Sequence, residues 1–114
     1  MTDSNDFITE SLTEIIEHVH SLGQHYLQIG RLSLADIAQI KAIIDELQYI
    51  LRSIEPDHQL LNYLQDTIAH LQKILHHNQD PLDHSSAQQK QNTELSLELL
   101  KRIKKLSKHS SLSS

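Results

Sequence analysis

The stretch KILHHNQDPLDH gathers His76, His77, Asp80, Asp83 and His84 within a short span. Imidazole and carboxylate are both transition-metal ligands, so the first chemistry to weigh is a metal site. Such a site needs a backbone that aims its donors at one centre. Here Pro81 interrupts the span, the spacing follows no established ligand pattern, and the composition is that of a polar loop joining two helices. No resident metal is predicted. Glu17 and His20 make one Glu-x-x-His pair, the element that di-iron bundles use twice. Further on, only Asp66 and His70 answer it, at a different spacing, and they do not complete a di-iron set. No histidine falls on an apolar seam, and His18 and His25 flank one, so boundary positions are predicted for them. Protonating all nine histidines moves the formal charge from −5 to +4. Solubility and self-association are therefore predicted to change near ~pH 6, where imidazole titrates.

Catalytic signatures are sparse. Cysteine is absent, which removes thiol nucleophiles, disulfides and cysteine-based zinc sites. Arg52 and His58 stand with five residues between them, a spacing that resembles the Arg/His motif of the HEPN ribonucleases. The resemblance implies a small helical protein in which those two side chains act on RNA. It covers seven residues, and Pro56 lies between the pair at a turn, so neither residue is assigned a catalytic role. GRLSLADIAQI similarly resembles the opening of a helix-turn-helix element. The helix it begins carries an apolar seam through Ile54, which marks a core helix rather than a short exposed reading helix. No catalytic residue and no cofactor is predicted, and the chain is not expected to be an enzyme.

Those residues must sit on helices. Ile8, Leu12, Ile15, Val19, Leu22, Tyr26 and Ile29 step by alternating fours and threes, the seam of coiled-coil-like packing, and predict a helix over 6–29. Gly30 supplies a left-handed stop, Ser33 with Asp36 forms an acidic capping box, and Leu32 and Ile37 make a hydrophobic staple around it. A second helix over 34–54 follows, with Ile37, Ile40, Ile44, Leu47, Leu51 and Ile54 on its seam and Ile43 and Ile50 widening it. It is predicted to be the most buried of the set. Pro56 breaks the run and Asp57 caps a third helix over 57–78, with Leu61, Leu64, Ile68, Leu71 and Leu75 on the seam and Leu60 and Ile74 alongside. After the polar linker, Ser86 and Gln89 repeat the capping-box spacing and open a fourth helix over 86–108. Short connections make sequential helices antiparallel. The fold class is all-α, an up-down antiparallel bundle of four helices with heptad-like seams.

Charge then separates the parts. Residues 1–83 hold 13 acidic and 4 basic side chains, whereas residues 84–114 hold 2 acidic and 6 basic ones. The reading is one domain, an acidic three-helix core (1–83) joined by a basic C-terminal helix with a frayed tail (84–114). At 100° per residue Leu95, Leu99, Ile103 and Leu106 share one face of that helix, and Lys101, Lys104, Lys105 and Lys108 the opposite one. Glu98 is four residues before Arg102, in ion-pair register. The apolar face is predicted to dock on the acidic body, and Lys101, Arg102, Lys104, Lys105 and Lys108 to bind an acidic protein partner. Nucleic acid is the alternative, opposed by the acidic body and by the lack of an aromatic among the lysines to stack bases.

A membrane surface fits poorly, because the apolar face has no Trp or Phe and is needed for packing. The N-terminal MTDSNDFITE has neither a basic region nor an apolar core, and no apolar run approaches spanning length. The expectation is a soluble cytoplasmic interaction module of the adaptor, chaperone, inhibitor or assembly-factor kind. The widened stripes, Ile43, Ile50, Leu60 and Ile74, add an expected homodimer.

Overall fold

The computed structural model describes residues 4–54, 60–78 and 86–111, with side chains for residues 10–54, 60–78 and 87–109. Four helices follow in order: α1 Ser4–Ile29, α2 Leu34–Ser53, α3 Leu61–His77 and α4 Ser86–Ser111. They form an all-α antiparallel bundle about 52 × 21 × 21 Å in extent. Each helix packs on two neighbours, α1 on α2 and α4, and α3 on α2 and α4. Among the described residues the diagonal pairs make no close backbone approach. No helix among these residues is long and apolar enough to cross a membrane.

The stop and start between α1 and α2 follow from local chemistry. Gly30 turns the chain at φ +79, a conformation that glycine adopts without a Cβ penalty, and its N–H donates to the Tyr26 carbonyl at 2.8 Å. Ser33 Oγ accepts from the Asp36 N–H at 3.1 Å, and Asp36 Oδ2 accepts from the Ser33 N–H at 3.0 Å, closing the capping box. Leu32 is buried and Ile37 half-buried, as the staple requires. Helix α3 is described from Leu61 rather than 57; Pro56, Asp57 and His58 lie outside the described residues, as do Asp80, Pro81, Asp83 and His84. Helix α4 runs three residues past the expected end at Lys108, to Ser111.

One continuous core draws on all four helices, with Leu12, Val19, Leu47, Leu64, Leu71, Leu99 and Leu106 wholly buried. Two expectations are corrected by it. Helix α2 is no more buried than its neighbours, because Ile37, Leu51 and Ile54 are only half-buried while Leu34 and Tyr49 face solvent. The α3 seam is also turned toward Leu60, Leu64, Thr67, Leu71, Ile74 and Asn78, with Leu61 and Leu75 at its edge. Two polar residues occupy seam positions there, and a count of leucines and isoleucines steps around them. Ile43, Ile50, Leu60 and Ile74 are all buried inside one chain. The width they gave the stripes is used by the bundle's own core and leaves no face for a second subunit at those residues.

Candidate interaction surface

Helix α4 presents its outer line at the spacing of a second seam: Lys90, Glu94, Leu97, Lys101, Lys104 and Lys108, all exposed. The inner line, Asn92, Leu95, Ser96, Leu99, Ile103 and Leu106, is buried. Rigidity on the inside therefore fixes the outside. Leu97 remains 46% exposed, and with Glu94, Glu98, Leu100, Lys101 and Lys104 it lines a shallow groove. Lys101 Nζ is 3.5 Å from Glu98 Oε2, whereas Lys104 and Lys105 have no ion-pair partner among the described residues. Leu100, half-buried, leans over Gly23 of α1, where a Cβ would meet its Cδ2 at 2.8 Å. The glycine thus gives α4 its close seat on α1.

Arg102 differs from the lysines with which sequence groups it. It points toward α3, its Nε 3.0 Å from Asp66 Oδ2 and its Nη1 2.8 Å from Glu98 Oε1. The hydrogen bond from Arg102, with the charge of Lys101, holds the Glu98 carboxyl below its ordinary range. Arg102 is a clasp between two helices before it is part of any outward face. Beyond it, the rings of Tyr63 and His109 stack with centroids 4.2 Å apart, again joining α3 to α4.

The α3/α4 seam is the polar one. His70 is buried at 6% exposure, beside the α3 seam rather than on it. Its Nε2 lies 2.9 Å from the Leu95 carbonyl, which can only accept, so Nε2 carries the proton. Thr67 and Ser96 are buried beside no charge of their own and turn their hydroxyls back to the Tyr63 and Thr93 carbonyls at 2.8 Å each. At one end of the bundle Tyr26 donates to Asn92 Oδ1 and accepts from Asn78 Nδ2 at 3.2 Å. Asn78 Nδ2 also reaches the Ile74 carbonyl at 2.8 Å, and Asn92 Nδ2 the Gly30 carbonyl at 2.9 Å. This buried network joins α1, α3 and α4.

The remaining chemistry-bearing residues are dispersed. Glu17 and His20 are both exposed on α1, and Asp66 is engaged by Arg102 while its companion His70 is buried. His76 is exposed and His77 half-buried at the end of α3. His18 and His25 lie exposed on α1, His25 with Nε2 3.6 Å from Asp36 Oδ2. Arg52 is exposed in the last turn of α2. Among the described residues no three His, Asp or Glu side chains are placed to hold a metal ion.

Burial lowers the His70 pKa below its ordinary 6.5, opposed by the hydrogen bond to Leu95 and reinforced by Arg102 and Lys73. The unfolded chain then binds the proton first as acid is added, so His70 favours folding above ~pH 6.5 and that contribution is lost as the pH falls toward its folded value. The expected result is that wild type loses stability between pH 7.5 and 5 more steeply than His70→Gln, followed by urea unfolding at each pH. Parallel profiles would contradict it.

No known protein family matches the chain, and no curated protein or solved structure is significantly similar to it.

Proposed function

We propose that the protein is a non-enzymatic helical interaction module whose outer α4 face binds an acidic protein surface. The observation that carries this reading is the pairing of exposed Leu97 with Lys101, Lys104 and Lys105 on a helix whose opposite side is locked into the core. Cations around an apolar centre on a rigid helix suit an acidic partner: the apolar side chains bury area and the lysines select charge and steer encounter. Lys108 extends the line, and Arg102 contributes its field while held by Asp66 and Glu98.

The test compares Lys101, Lys104, Lys105 and Lys108 all changed to Glu with Leu99→Asp and Ile103→Asp, using affinity capture from the native host. The charge-reversed protein should stay folded and lose the acidic proteins that wild type retains. Wild-type complexes should weaken with salt, since exposed charges are screened over ~8 Å at physiological ionic strength. The Asp variants should loosen α4 itself. Retention of every partner by the charge-reversed protein would overturn the reading, and a salt-sensitive gel shift with DNA or RNA that the reversal abolishes would replace the protein partner with nucleic acid.

A further inference from the structure

The α4 face has a complement on the same molecule. Between α1 and α2 runs a groove of about 310 Å³ lined by Ser11, Ile15, Asp45, Glu46, Tyr49 and Ile50. Its floor is apolar, because Ile15 and Ile50 belong to the core at 2% exposure each. Its rim is acidic and aromatic: Asp45 and Glu46 are exposed, and Tyr49 is 55% exposed. Neither carboxylate has an ion-pair partner among the described residues, and exposed Glu14 adds a third negative charge one turn along α1 from Ser11. Lys104 and Lys105 on α4 likewise have no ion-pair partner among the described residues.

Within one molecule these charges cannot meet. Helix α4 packs on α1 and α3, whereas the groove lies on the α2 side of α1. Between two molecules they can. We propose that the acidic surface bound by α4 is the α1/α2 groove of a second copy of this chain, an inference that rests on the binding role given to that face above. Exposed Leu97 of one copy packs beside the exposed Tyr49 ring at the groove rim of the other. The α4 lysines approach Asp45 and Glu46, with the face of Tyr49 as an additional cation contact. The charges left unpaired by folding are thus paired by association, and the contact joins two different surfaces rather than one surface to itself.

That asymmetry supplies the experiment. One variant carries Lys101, Lys104 and Lys105 changed to Glu, which spoils the α4 face and keeps the groove. The other carries Asp45→Lys and Glu46→Lys, which spoils the groove and keeps the face. All the altered residues are exposed, so both variants should retain wild-type helicity by circular dichroism. By light scattering at low salt, wild type should rise above the 13.1 kDa monomer mass as concentration increases and return to it in high salt. Each variant alone should remain at the monomer mass, and an equimolar mixture should reach twice it, because each supplies the surface the other lacks. A monomeric wild type overturns the inference, as does a mixture that stays monomeric or a variant that associates like wild type. Those failures leave the binding role of α4 standing if the charge-reversed protein still loses a foreign acidic partner, so the two proposals fail separately.

Discussion

Replacing Leu47 by Ala is expected to destabilise the bundle by about 2–5 kcal/mol, the range for large-to-small changes at fully buried leucines. Leu47 has no exposed surface, and α2, which carries it, packs on both α1 and α3. Truncation removes three carbons, Cγ and its two methyl groups, from contact with two helices, and ridges fixed by neighbouring isoleucines cannot close fully around the gap. Domains of this size are commonly stable by only about 5–15 kcal/mol, so the loss should move the urea midpoint a long way with the slope unchanged. Tyr49→Ala, two residues on and facing solvent, should change stability by under about 0.5 kcal/mol. A Leu47→Ala loss as small as that of Tyr49→Ala would mean that the core lies elsewhere.

Tyr26→Phe is expected to cost about 1–3 kcal/mol, the penalty for leaving a buried polar partner unsatisfied. The ring stays and packs as before, while Asn92 Oδ1 loses its donor and Asn78 Nδ2 loses one of its two acceptors. Because Tyr26 and Asn92 share one hydrogen bond, Tyr26→Phe and Asn92→Ala together should cost less than the sum of the two. Additive losses would show that the network is not a unit. A second signature lies in alkali. Burial pushes the Tyr26 hydroxyl from 10.0 up to about 12, with the Asn78 hydrogen bond working the other way. The folded state therefore holds its proton longer than the unfolded one, and the stability this confers is present below pH 10 and lost as the pH rises through 12. Tyr26→Phe should remove that alkaline loss.

How much of this was legible in sequence depended on whether apolar residues did the packing. Along α1 every described seam position through Tyr26 is apolar or aromatic, and counting by fours and threes finds the buried face directly. The α1–α2 connection was equally readable, since Gly30, Ser33 and Asp36 act through short-range geometry. Along α3 the same count fails at Thr67 and Asn78, which are buried because each satisfies its polar atoms inside the bundle. His70 was missed for that reason too. Its acceptor is a carbonyl on another helix, and no pattern within α3 reveals it. Arg102 shows the same limit at the candidate surface, because its pairing with Glu98 could be read from spacing while its pairing with Asp66 could not. The groove of Asp45, Glu46 and Tyr49 lay wholly outside the sequence reading, since it exists only where two helices meet.

The polar seam also decides which of several similar bundles forms. Helices with heptad stripes can slide past one another by one repeat, seven residues or about 10 Å, and still bury apolar side chains. In such a slip α4 would set Asn92 where Leu99 belongs and Ser96 where Ile103 belongs. A displaced Asn92 would sit in a hydrocarbon layer, far from both the Tyr26 hydroxyl and the Gly30 carbonyl. The leucines supply adhesion that is nearly indifferent to sliding, and Tyr26, Asn78 and Asn92 act as the graduation marks that align it. This fixes the axial position of the lysines on α4 relative to the carboxylates on α1 and α2, so that the spacing between opposite charges is the same in every copy of the molecule.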